Sequence, residues 1–278
     1  MRLSISTGSL LPYPLPVALR RIARAGFEGI ELVLGPETFL MGAGWVRGQV
    51  RKVGLEILSV HPPFLKVASW ANEGEALARQ VEWAAQLEAP LTLIHPPAAS
   101  RWDAPSAQRY LRGLEAGCTT AQRLGVQVAI ETAGRRWQGD TDRLLLKPRE
   151  LAAFVAARDL AVVLDVTHVG TLDPTLRSAE VLFGPRLAGI HLSDMVREAS
   201  QGRRGFLARF MATHRMPGDG VLPLEPTLKR LATSGFAGPV TLEVNPQHLV
   251  VWHRRRLARN LRQAAAFVRD AWRDQHGP

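Results

Sequence analysis

Residues 161–168 read AVVLDVTH: a short apolar run, an aspartate where the run stops, and a histidine three residues later. Near-continuous apolar strands of this kind are what a sheet buried on both faces requires. The same arrangement recurs in both directions along the chain. Towards the N-terminus lie IETAG around Glu131, IHPP around His95 and VHPPF around His61; towards the C-terminus lie IHLSD around His191 and LEVN around Glu243. THRMPGDG, with His214, follows the His191 strand in a long loop. One ligand-type residue closing one apolar run means little. A series of them at roughly regular intervals predicts a parallel barrel whose strand ends converge on one centre.

The rest of the chain fits that frame. Strands are expected at Leu3–Thr7, Gly29–Val33, Glu56–His61, Leu91–His95, Gln127–Glu131, Ala161–Asp165, Leu187–His191 and Val240–Val244. Amphipathic helical patterns such as PVALRRIARAG, EGEALARQVEWAAQLEA and PRELAAFVAARD lie between them. Glycines shortly before strands (Gly26, Gly29, Gly54, Gly125, Gly189) suit helix C-caps and tight turns. The stretch from about Met195 to Gly220 has no assigned element, and a loop that long in a compact domain is usually functional or mobile. The expected fold is a single (β/α)8 TIM barrel forming one domain over residues 1–278, since such barrels commonly run to about 250 residues.

Composition bounds the function. With 46% hydrophobic residues there is ample material for a core, and no apolar run approaches the roughly 20 residues that span a bilayer. The opening MRLSISTGSLLPYP reads as a strand and a turn rather than a secretion signal, so the expected location is cytoplasmic. The lone cysteine, Cys118, excludes an internal disulfide and a cysteine metal cluster, and its helical context suits a small packing residue. A formal charge of +10 and a pI near 11.0 favour an anionic partner, with no membrane partner expected.

Glu131, Asp165, His191 and Glu243 form the most persuasive set, because a divalent ion needs anionic or imidazole ligands arriving from several directions. Each alone is equally a salt-bridging or capping residue; it is the joint pattern that points to metal. His61, His95, His168 and His214 extend it, and Pro-Pro after His61 and after His95 stiffens the turn that carries each imidazole. His248, His253 and His276 belong to the final helical region and read as surface or packing residues. Arg197, Arg203, Arg204, Arg209 and Arg215 make the long loop cationic, suiting either phosphate contact or a solvated loop. The Pro-Gly-Asp-Gly amides could hold an anion or simply turn the chain. Phe64, Trp70, Trp102 and Trp137 lie in or near βα loops, where an aromatic either packs or stacks on a sugar or base. Among these, Phe64, Arg203, Arg204 and Arg215 are the candidate substrate contacts.

The pattern resembles the xylose-isomerase-like TIM-barrel superfamily (AP endonuclease family 2), which unites sugar isomerases and epimerases with endonuclease IV. HPPF is similar to that enzyme's HAPY, and ETAG to its ENTAG. The resemblance implies that His61 and His95 share one ion with Glu131. Glu131, Asp165, His191 and Glu243 would surround a second, leaving His168 and His214 for a third. The endonuclease's ninth ligand, an aspartate two residues before the last histidine, is here Ala212, so two Zn or Mn ions are expected with the third site weakened. The leading expectation is an endonuclease IV-like phosphodiesterase acting on DNA with abasic sites through a metal-activated hydroxide. Glu131 and Glu243 are its central catalytic residues. The alternative is a sugar or sugar-phosphate isomerase or epimerase, in which Glu131 and Glu243 move protons at a carbon beside a carbonyl.

Overall fold

A computed structural model describes residues 1–64, 70–136, 139–197 and 211–273. Eight parallel strands close into one barrel in chain order: β1 (Arg2–Ser6), β2 (Gly29–Val33), β3 (Glu56–His61), β4 (Leu91–Ile94), β5 (Gln127–Glu131), β6 (Ala161–Asp165), β7 (Leu187–Leu192) and β8 (Pro239–Leu242). Pairing of Leu3 with Val240 joins the first strand to the last. The larger helices packed outside are α1 (Leu15–Arg24), α2 (Pro36–Lys52), α3 (Glu73–Gln86), α4 (Pro105–Leu124) and α5 (Pro148–Ala156). After them come the short α6 (Val166–Gly170) and α7 (Arg177–Phe183), then α8 (Leu224–Thr233), the short α9 (Pro246–Leu249) and α10 (Arg254–Arg273).

The strands lie close to where apolar periodicity puts them, and the differences matter at the ends. β4 stops at Ile94 and β8 at Leu242, so His95 and Glu243 are the first residues beyond their strands. The last helical region is broken: Val250 takes a left-handed conformation and separates α9 from α10. Gly26, Gly54 and Gly125 have positive φ, as C-terminal caps require. Gly29 and Gly189 do not. They lie within β2 and β7, and a side chain on Gly29 would collide with Leu58.

Most of the core lies between strands and helices. A smaller apolar plug of Leu91, Leu93, Ala129, Ala161 and Val163 fills the barrel interior on the β4–β6 side. The β1–β3 side is polar instead. Ser6, Glu31 and Ser59 are register partners across three strands and share one face, and all are buried. A carboxylate there loses solvation on the order of several kcal/mol unless it is paired. Its partner is His191, described below.

Candidate metal centre

The centre is assembled by local backbone devices at the C-terminal ends of the strands. Asp165 is the N-cap of α6, its Oδ1 accepting the His168 amide at 2.7 Å. That turn explains the three-residue spacing: the cap leaves Oδ2 free of the helix and brings His168 round to the same mouth. His168 Nδ1 lies 2.7 Å from the Thr132 carbonyl oxygen. Gly134 of the ETAG segment allows this close approach, because a Cβ there would sit 2.8 Å from the His168 Cα. His214 arrives from the long loop with φ of 49° and hands its carbonyl to the Asn245 amide at 2.8 Å.

All eight sequence-chosen ligand residues meet at this mouth, in three overlapping sets: His61, His95 and Glu131; Glu131, Asp165, His191 and Glu243; and Asp165, His168 and His214. Within each set the candidate ligand atoms lie within 4.8 Å of one another. Glu131 stands between the first two. Its Oε2 faces His95 Nε2 at 3.1 Å and His61 Nε2 at 3.8 Å, while Oε1 faces His191 Nδ1 at 3.4 Å. His191 Nδ1 is also 2.7 Å from Glu243 Oε2.

The donor set suits a divalent cation. Glu131 Oε2, Asp165 Oδ2, His191 Nδ1 and Glu243 Oε2 are all buried and crowd one another, His191 Nδ1 and Glu243 Oε2 at 2.7 Å, yet none completes a hydrogen bond of good geometry among the described residues. Leaving even one such group unsatisfied costs about 1–3 kcal/mol or more. Four such atoms, one from each member of a single set, are accounted for together by a shared cation. The mixture of imidazole and carboxylate is compatible with Zn or Mn and does not choose between them.

Without an ion, protons carry the positive charge. Burial opposes charge on His95 and His191, but Glu73 and Glu131 around the first, and Glu31, Glu131 and Glu243 around the second, hold both well above 6.5. Burial opposes it on His168 as well, and Asp165 and Glu131 overcome this to raise it to about 9. The carboxylates respond in the opposite sense. Burial disfavours ionised Glu131, yet His191 and His95 keep it well below its ordinary value, and His191 likewise outweighs burial at Glu243 and brings it to about 2. Asp165 is pushed upward by its burial.

Sequence reading missed two carboxylates. Glu31 Oε2 lies 2.9 Å from His191 Nε2 and accepts from Ser59 Oγ at 2.9 Å. Glu73, the first residue of α3, reaches His95 Nδ1 at 2.9 Å and accepts the His95 amide at 2.8 Å. Glu31 carried a legible signal, an acid in the middle of a strand of the doubly buried type. Glu73 carried none, because an acid in the first turn of a helix is ordinary.

Other sequence-chosen residues divide. Phe64 is exposed at the rim with its ring centroid 5.0 Å from that of His61. It helps line an apolar cavity of about 160 Å³ together with Thr7, Gly8, Tyr13 and Val33. Trp70 stacks on Phe39 and Trp102 on Phe154, so both are packing residues. Trp137, Arg203, Arg204, Arg209 and His276 lie outside the described residues. The Arg215 guanidinium is turned to its own loop, donating to the carbonyls of Asp219 and Met211. Loop amides do hold an anion, but it is the chain's own: the Asp194 carboxylate accepts from Gly218, Leu222 and Met195. Cys118 is half-buried against the core. His253 is exposed, and His248 is half-buried.

The sequence matches the xylose isomerase-like TIM-barrel family over residues 19–271. The chain belongs to that family. Similar curated proteins of this xylose isomerase-like chain include an uncharacterized protein of Mycobacterium tuberculosis, 29% identical over 268 residues with 88% of this chain and 89% of the relative covered. A counterpart in Mycobacterium leprae is 27% identical over 266 residues with the same coverage. Among solved structures, D-psicose 3-epimerase from Clostridium cellulolyticum H10 superposes with a TM-score of 0.73 at 16% identity, covering 98% of this chain and 99% of that one. L-ribulose 3-epimerase gives 0.75 at 14%, covering 100% and 99%. The 3-keto-D-glucoside 4-epimerase of E. coli gives 0.72 at 15%, covering 97% and 99%. At these identities the structural likeness establishes the shared barrel. Among the described residues no helix is long and apolar enough to cross a membrane.

Proposed function

We propose that this chain is a divalent-metal-dependent isomerase or epimerase of a small sugar or sugar phosphate. The observation that carries the reading is the Glu131–His191–Glu243 arrangement. Two carboxylates, buried Glu131 from β5 and part-buried Glu243 from the end of β8, flank one imidazole in a single four-residue ligand set. Glu131, Asp165, His191 and Glu243 would hold a divalent ion, which would supply the polarisation of a carbonyl and its neighbouring hydroxyl that acidifies the carbon between them. One glutamate removes the proton from that carbon and the other, protonated, returns a proton; the roles exchange in the reverse direction. His191 and Asp165 hold the geometry, and Phe64, whose ring packs beside His61 and lines an adjoining cavity, offers an apolar wall at the rim. The end-to-end correspondence with three sugar epimerases supports the same choice over the endonuclease expectation.

The hydrolytic reading keeps one specific observation in its favour. The His61–His95–Glu131 and Asp165–His168–His214 sets flank the four-residue set, and closely spaced cations are how metal-activated hydroxide chemistry on phosphoesters is organised. The two readings separate in one experiment. Metal-replete protein is incubated in deuterium oxide with a panel of ketoses and ketose phosphates, and in parallel with abasic-site DNA and small phosphodiesters. Deuterium entering at the carbon beside the carbonyl, lost in both Glu131→Gln and Glu243→Gln, is the expected result. Phosphoester cleavage without exchange would overturn it.

A further inference from the structure

Five histidines serve the candidate ligand sets, and they differ in what the surrounding protein sets against their ring nitrogens. His61 Nδ1 faces the Pro62 carbonyl at 2.6 Å, His168 Nδ1 the Thr132 carbonyl at 2.7 Å as well as Glu131 Oε1 at 3.3 Å, and His214 Nδ1 the Glu243 carbonyl at 3.2 Å and the Ser193 hydroxyl at 3.3 Å. His95 and His191 face carboxylates that belong to none of the ligand sets, Glu73 and Glu31, each at 2.9 Å. The pairing leaves opposite nitrogens for the centre, Nε2 in His95 and Nδ1 in His191. A ring nitrogen that donates its proton outward leaves the other with a free lone pair, so the outer partner fixes both tautomer and ring orientation.

We propose that Glu31 and Glu73 are positioning residues that set the affinities of two separate metal sites. Glu31 acts through His191 on the four-residue set, and Glu73 acts through His95 on the His61–His95–Glu131 set. Glu31 is the stronger case. It is fully buried in the polar side of the barrel interior, its Oε1 lacks a partner among the described residues, and its Oε2 is steered onto His191 by the Ser59 hydroxyl. Folding gains little by placing a carboxylate there, since taking a charge out of water into the barrel interior is costly even among polar neighbours. What the carboxylate does accomplish is to leave His191 Nδ1 aimed at Glu131 and Glu243, at 3.4 and 2.7 Å. Glu73 performs the parallel task from outside the barrel. Asn72 caps α3, and the first residue of that helix grips both the amide and the ring of His95. The remaining set, Asp165–His168–His214, has among the described residues no carboxylate from outside the ligand sets behind its histidines, only the Thr132 and Glu243 carbonyls and the Ser193 hydroxyl, which makes it the weakest of the three.

This assignment rests on metal binding at the centre and not on which reaction is catalysed. The full chain is titrated with zinc against a chromophoric chelator, with elemental analysis giving ions per chain. Glu243→Ala and His61→Ala identify which class of site belongs to which set. Glu31→Ala is expected to weaken the four-residue class about 10- to 100-fold and leave the His61 class within about twofold, and Glu73→Ala to do the reverse. Glu31→Gln keeps the shape and an oxygen acceptor but not the charge, so it is expected to fall between wild type and alanine. It also carries the test if the alanine variant does not fold. Side-chain ¹⁵N spectra of the zinc-loaded protein give a readout that a purely structural role would not move: His191 protonated at Nε2 in wild type, with that proton signal shifted in Glu31→Gln. Wild-type affinity at both classes in Glu31→Gln and Glu73→Ala, or equal weakening of both classes by either, overturns the proposal. A wild-type chain that takes up no divalent ion overturns this proposal and the proposed function together, whereas binding without selective loss overturns this proposal alone.

Discussion

Asp194 and Gly218 are joined by a hydrogen bond of 3.1 Å from the Gly218 amide to Asp194 Oδ2, which ties the end of β7 to the loop that delivers His214. Oδ1 of the same carboxylate accepts from Met195 and Leu222. The Asp194 and Arg215 backbones also pair as an isolated antiparallel bridge. The position of His214 thus depends on a carboxylate that touches no candidate ligand set. Asp194→Ala is expected to lower stability by about 2–3 kcal/mol, as loss of charge-assisted hydrogen bonds to buried amides does. Metal uptake by the four-residue set should persist while the His168–His214 set loses affinity. Thermal melts and metal stoichiometry check both, and an unchanged His214 set would show that the loop is held by other contacts.

Gly134 makes a sharper steric prediction. A methyl group there would meet the His168 Cα at 2.8 Å and its carbonyl oxygen at 2.9 Å, and backbone does not yield as a side chain does. Gly134→Ala should cost about 1–3 kcal/mol and displace α6 from its cap. The His168 amide bond to Asp165 is the reporter: its hydrogen-exchange protection should fall more than that of the β6 amides.

Metal uptake should release protons. His95, His168 and His191 are held charged by the surrounding carboxylates, and each must give up a proton to become a ligand. Affinity is therefore expected to rise with pH through the neutral range. Calorimetric titrations in buffers of different ionisation enthalpy should show net proton release near neutral pH. Uptake with no proton release would mean that the imidazoles bind no proton in the metal-free state.

The metal-free protein should depend on pH at both extremes. His168 is raised from 6.5 to about 9, so its contribution is fully present below 6.5 and lost as pH rises through 9. Glu243 is lowered from 4.5 to about 2, so its contribution is present above 4.5 and lost as pH falls through 2. Melting temperatures of the metal-free protein should decline on the alkaline side across that window. Saturating metal should flatten the decline, because the ion takes over the role of the protons.

Much of this protein was legible in one dimension. Strands buried on both faces must be apolar throughout, so AVVLD and IHL stand out against the helical periods around them. A barrel in which every strand runs the same way sends all strand ends to one mouth. That geometry is why Glu131, Asp165, His191 and Glu243 were readable as one set before any coordinates, and why His61 and His95 joined them. What the tertiary structure decided was pairing across distance. Glu31 lies 160 residues from His191, and nothing local to either indicates that the barrel places them 2.9 Å apart across its interior. The amides of the Pro-Gly-Asp-Gly turn looked ready for a bound anion, but the fold supplies Asp194 to fill them. Arg215 reads as a phosphate contact or a solvated charge, and the fold turns two of its donors to the neighbouring carbonyls of Asp219 and Met211. Periodicity reports which way a side chain faces, because facing follows from the backbone repeat. Which partner waits on that side follows from closure of the barrel, and that is a property of the whole chain.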